Sequence, residues 1–184
     1  VAIRQQRLKL LVAYSTVAQI GYLFLMFPLA FDFTGSALVH GASLNAGVLQ
    51  AISHATAKAG MFMAAGLVYS CLGHDRIADL AGVARAMPIT VLAFAVAGLA
   101  LMGVVPSGAY LAKKILLAAA GESGQWWWTA VLQGGAAFTA GYMVLVLVSV
   151  FRQPSMPIDL VKRPARLAEF AALFLAVCSL LLAF

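Results

Sequence analysis

Lys58 and Lys113 are amines set inside runs of apolar residues. An ionisable group at bilayer depth costs about 2.5 to 3.5 kcal/mol even on the mildest scale, so it faces protein or water and marks a transport path. Burial brings the charged and neutral forms of an amine closer in free energy, and such an amine can load and unload a proton near neutral pH. Gln50, His54 and Lys58 follow one another at intervals of four residues, which places them on one helix face with Ser53 beside them. Imidazole titrates near neutrality and can pass a proton between water and Lys58, while Gln50 and Ser53 can hold intervening waters. Lys113 follows the stretch Gly103, Val104, Val105, Pro106, Ser107, Gly108. Proline removes a backbone donor there and glycine frees the chain, so a broken helix is expected, with unpaired backbone groups beside the second amine. Lys114 is turned about 100° from Lys113 and suits either a snorkelling contact or an auxiliary place on the path.

These residues need long helices to position them. Five apolar runs are bounded by charges and turn residues, at about 10–31, 44–72, 89–120, 126–151 and 167–184. The third would be about 48 Å long as one helix, more than tilt absorbs across about 30 Å of hydrocarbon, which agrees with a break at Gly103 to Gly108. The expected fold is therefore all-α, a polytopic membrane bundle of five transmembrane helices with the third broken, forming a single module over residues 1–184. Trp126, Trp127 and Trp128 open the fourth run and suit a membrane interface. Tyr14, Ser15, Thr16 and Gln19 on the first helix are expected to supply interhelical hydrogen bonds.

Composition supports this class. The 184 residues are 64% hydrophobic and 10% charged, against roughly 45 to 50% and 25% for a soluble domain, and the mean hydropathy is +0.98. The net charge of +6 raises nucleic acid as a partner, but the cations lie between apolar runs and form no stripe, so loop orientation explains them better. Of the 12 Lys and Arg, nine fall in alternate loops: Arg4, Arg7, Lys9, Arg76, Arg85, Arg152, Lys162, Arg163 and Arg166. The intervening loops, near Asp32 to Ser43 and Gly121 to Gln125, hold none. The positive-inside rule then puts the amino end in the cytoplasm, with the bacterial plasma membrane as the expected location. Cys71 and Cys178 read as free thiols, and Cys71, His74, Asp75 and Asp79 lack the paired spacing of a metal site. No phosphate-cradling loop, nucleophile elbow or haem or iron-sulfur spacing is present. No cofactor or metal is expected. The chain opens at Val1 and stops at Phe184 inside an apolar run, and it reads as a fragment of a longer subunit.

Three motifs carry a family resemblance. The run Lys9-Leu-Leu-Val-Ala-Tyr-Ser-Thr-Val-Ala-Gln-Ile-Gly-Tyr22 resembles a segment of the antiporter-like subunits of respiratory complex I and of Mrp cation/proton antiporters. Ser53-His-Ala-Thr-Ala-Lys58-Ala-Gly-Met-Phe-Met-Ala-Ala-Gly66 is similar to their HAxxKAxxFLxAG helix, and the stretch from Gly98 to Lys113 to their LxGxPPxxGFxxK broken helix. Arg7 stands where the family usually has an acidic residue, and Val105 where a first proline is common. The resemblance implies the carboxy-terminal part of a proton-channel subunit without its own redox centre. Lys58 would be the central channel lysine, His54 its relay and Lys113 the terminal exchange lysine, with Gln50, Ser53, Lys9 and Lys114 as auxiliaries. Other membrane subunits, protons, the bilayer and, as an open alternative cargo, Na⁺ are the implied partners; nucleic acid is not. Two rivals stand beside it: a structural scaffold that docks a soluble redox enzyme on basic loops, with both lysines on headgroups or backbone carbonyls, and a secondary transporter with a solute-sized cavity at the break.

Overall fold

A computed structural model describes residues 2–32, 34–154 and 158–184. All extended elements among the described residues are helical, and two isolated β-bridges, Arg7 with Arg76 and Phe31 with Leu38, are the only pairings of strand type there. The helices are α1 (Leu8–Phe24), α2 (Met26–Ala30), α3 (Gly41–Leu72), α4 (Val83–Ala86), α5 (Pro88–Met102), α6 (Gly108–Glu122), α7 (Trp126–Phe151) and α8 (Arg166–Leu181).

The first apolar run is not one continuous helix. α1 stops at Phe24, and α2 resumes at Met26. Pro28 explains the position: its ring opposes the carbonyl four residues earlier, which is that of Phe24, and it offers no N–H to that oxygen. Among the described residues, three stretches are long and apolar enough to cross a membrane, Leu8–Ala30, Gly41–Leu72 and Trp126–Phe151, while Pro88–Met102 is shorter. α8 has 16 residues, about 24 Å, which is less than the hydrocarbon thickness.

The third run is divided as the sequence suggests. α5 ends at Met102 with Gly103 in the left-handed region at φ +77°, a conformation that glycine adopts freely. α6 restarts at Gly108, capped by the Ser107 hydroxyl, which accepts from the Tyr110 amide at 3.1 Å.

α3 is the central element, packed by α1, α5, α6 and α8. Gly60 allows α8 to approach closely: a Cβ there would lie 3.1 Å from the Ala172 carbonyl oxygen and 3.3 Å from the Ala176 nitrogen. The core around it contains Leu11, Val12, Met61, Met87, Phe94 and Met143. Outward-facing residues such as Val17, Phe138, Val148 and Phe174 are large and exposed, as a surface turned toward lipid or further helices requires.

The polar segments gather at two ends. At one, the Arg7 Nε donates to Asp75 Oδ1 at 2.8 Å, the Lys9 amide donates to Asp75 Oδ2 at 3.1 Å, and the Val161 amide donates to the Cys71 carbonyl at 2.8 Å. Asp75 thereby caps α1 from another loop. At the other end Asp32 accepts from the Ser36 and Ala37 amides at 2.8 and 3.2 Å, and His40 Nδ1 lies 3.5 Å from Glu122.

Candidate functional site

Gln50, Ser53, His54 and Lys58 share the buried face of α3 that their spacing predicts. Lys58 is 4% exposed and His54 6%. α1 meets this face with Val12, Ser15 and Gln19, which are themselves on one side of their helix at intervals of three and four. Lys58 Nζ donates to the Ser15 hydroxyl and, at 3.3 Å, to the Val12 carbonyl. Ser15 passes its own proton to that carbonyl at 2.8 Å, so its oxygen lone pairs are free to accept from the amine. No carboxylate is in ion-pair contact with Lys58 among the described residues.

His54 Nδ1 donates to Gln19 Oε1 at 2.7 Å. An amide oxygen only accepts, so Nδ1 carries the hydrogen and neutral His54 keeps Nε2 as a lone-pair acceptor. The Gln19 amide nitrogen donates to Thr139 Oγ1 at 3.2 Å and to the Tyr142 hydroxyl at 3.5 Å, and that hydroxyl also lies against Ser15. The result is a polar wedge between α1, α3 and α7. Three buried atoms on the α3 face, Gln50 Oε1, Ser53 Oγ and His54 Nε2, have no hydrogen-bond partner among the described residues, which is costly unless water or a mobile proton engages them.

Lys113 is half-buried on α6, and its Nζ donates to the Met102 carbonyl at 3.3 Å. The helix break frees that carbonyl. A Cβ at Gly103 would lie 3.1 Å from the same nitrogen, and one at Gly108 would lie 3.1 Å from Ser53 Oγ. Both glycines of the break therefore sit against groups on the candidate path, while Pro106 ends neither helix but lies between them. A cavity of about 20 Å³ is lined by Lys113, Gln50, Gln19, Tyr22 and Thr139 among others, a volume that suits a water on the scale of about 10 to 15 Å³ per probe sphere.

Two auxiliary residues stand elsewhere. Lys114 is exposed. Lys9 places its Nζ 3.9 Å over the Tyr69 ring at the Asp75 end, away from the wedge. Of the four polar residues expected to join helices from α1, Ser15 and Gln19 do so, whereas Tyr14 is exposed and Thr16 bonds its own Val12 carbonyl at 2.9 Å. The sequence reading passed over Thr139 and Tyr142, whose spacing of three within the apolar fourth run was the available sign, and over Glu169, a carboxylate inside the fifth run.

The family model described as NADH:quinone oxidoreductase/Mrp antiporter, transmembrane, matches residues 1–139. The chain belongs to this family. Subunit N of a NADH-quinone oxidoreductase from Desulforudis audaxviator, another relative, is 34% identical over 150 residues, covering 82% of this chain and 28% of the relative. A Na(+)/H(+) antiporter subunit A1 from Staphylococcus aureus is 31% identical over 120 residues, covering 63% of this chain and 15% of the relative. This antiporter-family chain thus spans less than a third of each. Among solved structures, a chain of the Mrp complex from Dietzia sp. superposes with a TM-score of 0.84 at 24% identity, covering 99% of this chain and 40% of the other. A chain of respiratory complex I from Thermus thermophilus gives 0.80 at 21% identity, covering 99% and 36%. These two likenesses speak for the fold. The chain is accordingly a member of a membrane protein family.

Proposed function

We propose that the chain moves protons across the membrane as part of a complex of the NADH:quinone oxidoreductase or Mrp antiporter type, through Lys58, His54 and Lys113. The observation that carries this reading is Lys58 itself. It is buried, it faces a serine hydroxyl and, among the described residues, no carboxylate, and it lies on the same helix face as an imidazole nitrogen without a partner there. An amine locked in an ion pair would stay charged; one solvated by a hydroxyl and a carbonyl can hold or lose its proton. The small cavity beside Gln50 and Lys113 supports a water step between the two amines. In this reading the chain crosses the bilayer five times as one module, with α5 and α6 together making one crossing and the basic loops on the cytoplasmic side of a bacterial plasma membrane. Partner subunits supply the electron chemistry, and Na⁺ is a second candidate cargo.

The scaffold alternative draws on one specific observation: both lysines also donate to backbone carbonyls, of Val12 and Met102. A solute transporter is less well supported, because the cavity at the break, about 20 Å³, is far below the roughly 300 to 1,000 Å³ of small-molecule pockets. Proton flux into sealed vesicles separates the first two. Lys58→Gln and Lys113→Ala in the full-length subunit should each abolish flux in a normally assembled complex, and Lys113→Glu should retain part, since a titratable group is what that position requires. Wild-type flux in both loss variants would leave the scaffold as the better account.

A further inference from the structure

Glu169 is a buried carboxylate that this path does not use. It lies in the first turn of α8 and is 5% exposed. The Thr90 hydroxyl, near the start of α5 and fully buried, donates to Glu169 Oε1 at 2.6 Å. No Lys, Arg or His is in ion-pair contact with Glu169 among the described residues. The charged groups on the elements packed against it are few: α3 carries none beyond Lys58, α5 carries none, α6 carries Lys113, Lys114 and Glu122, and α8 itself carries the exposed Arg166. A carboxylate in a first helical turn gains from the helix dipole. That gain does not require burial among three helices at a membrane end.

Thr90 has a second side. With Leu8, Val68, Phe94 and Val146 it lines a gap of about 10 Å³. Leu8 is one helix turn before Val12 on α1, and the Val12 carbonyl accepts from Lys58. The threonine therefore stands between the carboxylate and a space that adjoins the turn holding the central amine.

We propose that Glu169 is the proton-exchange carboxylate at the end of the bundle where α3 stops, taking a proton from water there and releasing it toward Lys58. This inference rests on the proton-path reading. Thr90 occupies Oε1, which leaves Oε2 to form the new O–H bond; the same proton later leaves Oε2, and the carboxylate is restored. The gap beyond Thr90 is at the lower limit for one water, so the onward transfer proceeds when a water enters it.

Glu169→Gln is the decisive variant, because the amide oxygen still accepts from Thr90 and only the titratable proton is lost. In the full-length subunit, assembled with its partners in sealed vesicles, Glu169→Gln should slow proton uptake from that side by about tenfold or more, with unchanged assembly and thermal stability. Glu169→Asp should recover much of the rate, and Thr90→Val should slow uptake with the carboxylate retained. Wild-type flux in Glu169→Gln overturns the inference, as does wild-type flux in Thr90→Val should the first variant fail to assemble. If Lys58→Gln is inactive while Glu169→Gln is not, only this inference falls; if both pump normally, the path reading falls with it.

Discussion

At the scale of single residues, Gln19 decides how His54 works. Its amide oxygen fixes the Nδ1 hydrogen and turns Nε2 into the acceptor, and its nitrogen ties the pair to Thr139 and Tyr142 on α7. Gln19→Leu removes the acceptor and leaves a buried N–H unpaired, at a cost of about 1 to 3 kcal/mol. A lower melting temperature is expected together with reduced proton flux, whereas Gln19→Glu, which keeps an acceptor, should melt closer to wild type; equal melting of the two variants would count against the assigned tautomer. This network was half legible in the sequence. Helical spacing alone groups Gln50, His54 and Lys58, because residues four apart must share a face. Ser15 and Gln19 could be read as interhelical hydrogen-bonding residues, but which helix covers that face is a tertiary fact, so their partners Lys58, His54 and Tyr142 could not be read from any local pattern.

Among the elements, the interrupted third run is the one whose form follows most directly from its residues. A stretch too long for the bilayer, with Gly103, Pro106 and Gly108 at its middle, has to come apart there, and it does so between Met102 and Gly108. Pro28 also divides a run, between α1 and α2, and that break could have been anticipated from its clash with the carbonyl of Phe24. The break also positions chemistry, since the Met102 carbonyl that it frees accepts from Lys113. Gly103→Ala forces a side chain into the left-handed region at a cost of about 1 to 2 kcal/mol, with its Cβ about 3.1 Å from Lys113 Nζ. The amine must then move off the carbonyl. Flux in vesicles should fall further than the stability loss explains, and a Gly103→Ala protein with full flux would remove the glycine from the mechanism.

For the molecule as a whole, the alternation of charged and uncharged loops in the sequence corresponds to two real ends. The amino-terminal segment, the loop after α3 and the segment before α8 meet at one of them, through Asp75, Arg7 and the Val161 to Cys71 bond. That meeting was not legible, because nothing local pairs an aspartate at 75 with an arginine at 7. Asp75 is 1% exposed. Burial works to raise its carboxyl, but the Arg7 hydrogen bond, the Lys9 amide and the charges of Arg7 and Lys9 together hold it below the usual carboxylate range. A carboxyl depressed in the folded protein stabilises it fully above the unfolded value, near about 3.9, and the contribution is lost as pH falls through the lower folded value. Acidification should therefore release the amino end of α1 before it melts the helices around Lys58. Amide hydrogen exchange reads this directly: protection at Lys9, whose amide donates to the carboxylate, should drop as pH is lowered through the carboxylate range in the wild type, and be low at every pH in Asp75→Ala. Protection at Lys9 that is unchanged by either treatment would mean that α1 is held in place by its packing on α3 alone.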